Sequence, residues 1–152
     1  MFSLPLYCIK NAFSVPTDLL ETRWFRIRDA RLKQSRNHIH LAPAASFSDT
    51  EANLKATFSF LNCVLQHNNL NRYEWAQLEA QVRDWSSSSN SDIDVKVDII
   101  FNANHTVLAT GAHIPSAFKK TLTFSDGTQK CYYFPNGPTN GKDWTEFQIH
   151  CN

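Results

Sequence analysis

The chain has 152 residues, 42% hydrophobic and 12% aromatic, with 11 Phe and 4 Trp, which excludes the apolar-poor, charge-rich regime of disordered chains. That length suits one domain over residues 1–152, with a core large enough to need no disulfide or metal. The 15 Lys+Arg and 14 Asp+Glu leave a net charge of +1, so overall charge selects no polyanionic or polycationic partner and any electrostatic signal has to be local.

The opening MFSLPLYCIKNAF has no basic residue before its apolar run and is broken by Pro5, a poor pattern for a secretory leader. No apolar run is long enough to span a bilayer. A cytoplasmic protein with no membrane partner is therefore expected. Phe2, Leu4, Leu6 and Cys8 alternate as in a strand, with Pro5 placing it at an edge.

Residues 18–32 fit two patterns. Leu20, Trp24, Ile27 and Arg31 would share a helical face, whereas Phe25 and Ile27 alternate with arginines as in a strand. The strand pattern over 22–29, paired with residues 38–42, gives an N-terminal β-hairpin. Next, Ser48 and Glu51 form a capping box, and Leu54, Phe58, Leu61 and Leu65 repeat at helical spacing, predicting a helix over 49–67. A second helix over 72–85 follows from Asn71 as N-cap, Glu74 three residues on, Leu70 as staple to Trp75, and the apolar line Trp75, Leu78, Val82 and Trp85. These two helices form a hairpin with an apolar stripe on each, suited to covering a sheet.

After the polar connector 86–92, DIDVKVDIIF places Ile93, Val95, Val97, Ile99 and Phe101 on a core face and Asp92, Asp94, Lys96 and Asp98 on the other. A short strand is expected over 106–110. The segments FKKTLTF and KCYYF flank Ser125-Asp126-Gly127-Thr128, a hairpin turn. The loop PNGPTNGKDW then leads to a last strand with Phe147, Ile149 and Cys151 inward. The fold class is α+β, an antiparallel sheet with a two-helix hairpin on one face.

Cys8, Cys63, Cys131 and Cys151 form no close pair and suit the reduced thiols of a cytoplasmic protein, with Cys131 and Cys151 the pair to join if their strands are neighbours. Cys63, Cys131 and Cys151 all sit among core positions, so packing is their expected role.

Two residues apart on a strand, His38 and His40 would share a face with Cβ atoms about 7 Å apart, close enough for one metal ion. Such a site needs a third ligand from His105, His113 or His150. The plainer alternative is an exposed pair opposite Ile39 and Leu41. His38 and His113 could also divide the roles of base and acid on a phosphodiester, although the triplets His38-Ile-His40 and His113-Ile-Pro115 lack a hydroxyl residue. The outline of small ribonucleases adds His113, Lys119, Tyr132 and Arg28 as candidates by fold analogy alone.

Arg23, Arg26, Arg28, Arg31, Lys33 and Arg36 crowd a stretch whose one acid is Asp29. On a strand Trp24, Arg26 and Arg28 would share a face, guanidiniums beside an indole, which suits phosphates and bases, an acidic protein surface, or the chain's own Asp92, Asp94 and Asp98. The loop 135–144 is a spacing short of a phosphate loop and is taken instead as a contact loop carrying Asn140 and Lys142.

With no serine elbow, HExxH or paired carboxylates, the leading expectation is a binding module without cofactor, of inhibitor or adaptor type, rather than an enzyme. It would dock on an acidic protein surface or nucleic acid through residues 23–36 (Arg23, Trp24, Arg26, Arg28, Arg31, Lys33, Arg36) and Asn140 and Lys142. The alternative is a phosphodiester-cleaving, ribonuclease-like or metal-assisted enzyme centred on His38, His40 and His113, with His38 and His40 as metal ligands.

Overall fold

The computed structural model describes residues 36–58, 62–109, 111–139 and 141–151. The expected strand at residues 2–8, the segment 18–32 with its hairpin strand, and the cationic residues 23–33 lie outside them.

Among the described residues two antiparallel sheets form. The smaller pairs β1 (Arg36–His40) with β2 (Cys63–His67), matching His40 to Cys63 and Arg36 to His67. The larger runs in the order β3 (Ile93–Ile100), β4 (Ala117–Phe124), β5 (Gln129–Pro135) and β6 (Gln148–Ile149). Helix α1 (Glu51–Thr57) joins the two strands of the small sheet. Three helical pieces run on without a break after β2 and are together called α2: Asn68–Leu70, a π turn over Asn71–Trp75, and Ala76–Ser89.

The α+β class and the antiparallel sheet follow the sequence pattern. On β3, Ile93 and Val97 are buried and Asp94 and Lys96 exposed; the alternation ends with the strand, and Phe101 is 43% exposed. At the β4–β5 turn Gly127 takes φ +82°, and Asp126 Oδ1 accepts from the Thr128 backbone N–H at 2.9 Å. The core lies between α2 and the large sheet: Leu70, Trp75 and Leu78 meet Val97, Phe118, Leu122 and Phe134, with Trp75 edge-on to Phe118 and Phe134 at 5.6 and 5.5 Å.

The helix expected over 49–67 is shorter, and its last residues are a strand. Asn62 supplies the physical reason. Its side-chain amide donates to the O of Thr57, the last residue of α1, at 2.8 Å and to Ala42 O at 3.1 Å, while its carbonyl accepts from Ala42 N at 2.9 Å. Pairing with β1 then outweighs the helical period of the apolar residues. Thr50, not Ser48, caps α1, accepting from Asn53 N. The second helix begins earlier than expected, capped by His67 Nδ1 on Asn69 N. The strand expected over 106–110 reduces to a bridge between Val107 and His113. Before β6, Asp143 and Glu146 form a capping box that turns Trp144–Phe147 into a 3-10 helix, which leaves Ile149 exposed rather than inward. Cys131 and Cys151 are joined in a disulfide, correcting the expectation of reduced thiols at these two positions.

Asn136 fastens the two sheets together. Its amide donates to Leu65 O at 3.0 Å and to Pro115 O at 2.8 Å, and its carbonyl accepts from His67 N at 2.7 Å. Asn136→Ala leaves these groups without their partner and is expected to cost about 2 kcal/mol, measured by equilibrium urea unfolding; a change below about 0.5 kcal/mol would contradict the fastening role.

Candidate functional site

A cleft of about 520 Å³ opens between the segment following β1, one side of α2, and the faces of β3 and β4. Its rim is built from Leu41 to Asp49, held by Asn62 through the three Ala42 and Leu41 contacts, including Leu41 N to Asn62 O at 2.9 Å. Its helical wall is Glu79, Val82, Arg83, Ser86 and Ser87, residues spaced by three and four that share one side of α2. Its base includes Val97 and Lys120, which face each other across the β3–β4 ladder.

His40 ends β1 immediately before the rim residue Leu41. Half-buried, its ring meets Phe58 edge-on at 5.2 Å. His38 stands opposite Leu65 in the β1–β2 register. His113 lies elsewhere: its Nδ1 is 2.6 Å from His105 Nε2, whose other nitrogen contacts Asn102 O at 2.7 Å. His40 sits at the Cys63 end of β2, whereas Asn136 ties the His67 end to Pro115, two residues past His113. The structure thus pairs His113 with His105, and the His38 side chain lies outside the described residues. Among the described residues no three His, Cys, Asp or Glu side chains converge to hold a metal ion, which bears on cages built wholly from protein, since Mg²⁺ commonly uses fewer protein ligands.

The other nominated groups are dispersed or engaged. Tyr132 is buried in the core, where burial pushes its hydroxyl up. Lys119 alternates with Lys120 along β4 and sits on the opposite face of the sheet. Burial pushes the Cys63 thiol up as well, against a nucleophilic thiolate. Loop 135–144 makes internal bonds: besides Asn136, Thr139 Oγ1 donates to the buried Glu74 Oε2 at 2.6 Å. Asn140 lies outside the described residues, and Lys142 is exposed, with Nζ 6.0 Å from the Phe147 ring centroid.

The most unusual chemistry is on the cleft's inner wall, at residues that sequence reasoning missed. Lys120 occupies a core-facing position of β4 between Phe118 and Leu122, with its side chain 2% exposed. Its Nζ is 3.6 Å from Glu79 Oε1 and 3.6 Å from the Trp75 ring centroid. Burial brings Lys120 down to about 8, opposed by the Glu79 charge. Burial pushes the Glu79 carboxyl up, opposed by the Lys120 charge, the Trp75 indole N–H and the Arg83 charge. A charged residue at an inward position of an alternating strand was the available signal for Lys120; Glu79 had none beyond its place next to Leu78.

Residues 34–152 match the family model of the DNA/RNA non-specific endonucleases, and the chain belongs to that family. Among solved structures it is similar to a chain of the crystal structure of the EndoG/EndoGI complex, described as the mechanism of EndoG inhibition, with TM-score 0.61 and 20% identity over 75% of this chain and 53% of that chain. At that identity the likeness concerns the fold, and this chain spans about half the length of the other. No curated protein matches the sequence. The family match overturns the expectation of an inhibitor or adaptor: the absence of a familiar catalytic motif was a poor guide because the polar groups of the cleft come from separate elements. Of the residues expected to bind a partner, Arg23, Trp24, Arg26, Arg28, Arg31 and Lys33 lie outside the described residues, and Arg36 is in β1.

The depressed Lys120 value means that the fold favours the neutral amine; that contribution is complete above its ordinary value of 10.5 and is lost as pH falls through about 8. At pH 7 the charged amine depends on Glu79. Glu79→Gln should therefore cost about 3 kcal/mol at pH 7, and clearly less at pH 10, where Lys120 is already neutral. Urea unfolding at the two pH values checks this, and equal losses would contradict a charged pair at pH 7.

Proposed function

We propose that this chain is an endonuclease that hydrolyses phosphodiester bonds in DNA and RNA with little regard to sequence, and that the cleft beside His40 is its active site. The observation that carries the reading is the family match over residues 34–152, a span that contains every element lining the cleft.

The chemistry of the side chains supports it. Cutting a phosphodiester requires a group to take a proton from the attacking water, and charge to offset the phosphate in the transition state. The imidazole of His40, next in the chain to the rim residue Leu41, is the candidate for the first task. Arg83, one helical turn beyond Glu79 on the same wall, suits the second, because a guanidinium donates two parallel hydrogen bonds to phosphate oxygens. Glu79 offers a carboxylate oxygen that can accept a hydrogen bond from water or a sugar hydroxyl. Contacts of this kind read the backbone, which carries no sequence information. The Cys131–Cys151 disulfide weighs against the cytoplasmic expectation, since reducing compartments keep thiols apart.

Purified protein, assayed in Mg²⁺ on supercoiled plasmid, single-stranded DNA and RNA, should cut all three. His40→Ala should lower kcat/KM by about 10² or more while the fold persists. A wild-type protein that leaves every substrate intact, or a fully active His40→Ala, would overturn the reading. Arg83→Gln should weaken substrate binding and flatten its dependence on salt by about one phosphate contact, as read from binding isotherms at several salt concentrations; an unchanged slope would remove Arg83 from the phosphate site.

A further inference from the structure

Fold stability alone does not call for a lysine at position 120. A buried ion pair exchanged for apolar residues of similar volume is often neutral or better, and the neighbours of Lys120 on its face of β4, Phe118 and Leu122, are fully buried apolar residues. A methionine would suit that environment. Instead an ammonium sits 3.6 Å from Glu79 Oε1 and 3.6 Å from the centroid of the Trp75 ring.

The pair borders the cleft, with the Glu79 side chain 15% exposed and Lys120 at 2%. Charged groups reach Glu79's surroundings from several elements. Arg83 stands on its own helix, Lys120 comes from β4, and the other ionisable residues lining the cleft are the acids Asp49, Asp92 and Asp94. Burial favours a protonated carboxyl. Of the two opposing cations, Lys120 is the buried one, with its ammonium 3.6 Å from both the Glu79 carboxylate and the Trp75 ring centroid. It is too buried to meet a phosphate itself.

We infer that Lys120 is a positioning residue for the nuclease reaction, holding Glu79 ionised and oriented toward the cleft without touching substrate. This rests on the proposed nuclease site. Since burial brings Lys120 itself down to about 8, its hold on Glu79 operates below that pH and fades above it.

Lys120→Met and, as a second variant against misfolding, Lys120→Gln separate this role from packing through two measurements on the full chain. The first is a ¹³C NMR titration of the glutamate carboxyl carbons, with Glu79 assigned by its loss in Glu79→Gln. The second is the pH profile of kcat/KM on plasmid DNA. In both variants the Glu79 midpoint should rise by about one unit and the acid limb of the profile should move with it. The variants would then be about 10-fold slower at pH values below the wild-type midpoint and approach wild type above both midpoints. An unmoved Glu79 midpoint, or a rate deficit equal at all pH values, overturns the inference. If the wild type cuts no nucleic acid, the nuclease reading falls, while the carboxyl titration still decides whether Lys120 controls Glu79.

Discussion

The packing of α2 on the large sheet is the constraint from which the site follows. Leu70, Trp75 and Leu78 are buried against Phe118, Leu122 and Phe134, and large aromatic contacts of this kind dominate core energetics. Once Trp75 is lodged between Phe118 and Phe134, the rotation of the helix is set. Glu79 and Arg83, one and two turns on, must then lie along the edge of that contact, where the cleft opens. The same indole face receives the Lys120 ammonium. Core and site thus share one side chain, and a change to Trp75 would be felt in both.

The opposite wall depends on short polar bonds instead. Asn62 ends α1, pins the segment after β1 and so places the rim that begins at Leu41. Asn136 performs the corresponding task at the far end of β2. The small sheet that carries His40 is therefore tied to its surroundings by two asparagines, each satisfying several backbone groups. A cleft with one wall fixed by apolar packing and the other by directional bonds is suited to backbone recognition, in which a few charged and polar groups must be held in place while the bases go unread.

Much of the fold was legible because its signals are local. Alternation in β3 and the Asp126-Gly127 turn marked the sheet, and the line Trp75, Leu78, Val82 marked α2. The apolar line Leu54, Phe58, Leu61, Leu65 misled because it crosses from a helix into a strand, and pairing with β1, a tertiary event, decides where the change falls. His40 was visible as a candidate; Glu79, Arg83 and Lys120, which line the cleft from a helix and a distant strand, were not. Lys120 was hidden by Lys119: two adjacent lysines look like a solvated pair, although strand geometry sends one outward and the other into the core. The arginines of residues 23–33 attracted attention because charge clusters stand out in a sequence whatever their use.

The central claim is that nucleic acid enters the cleft between the segment after β1 and the Glu79–Arg83 face of α2. Chemical-shift mapping with a nuclease-resistant phosphorothioate oligonucleotide tests it most directly. The account predicts perturbations that cluster at His40, Leu41, Asn62 and Arg83 and fade with added salt. Perturbations confined to the β5–β6 side, around Tyr133 and Ile149, would contradict it.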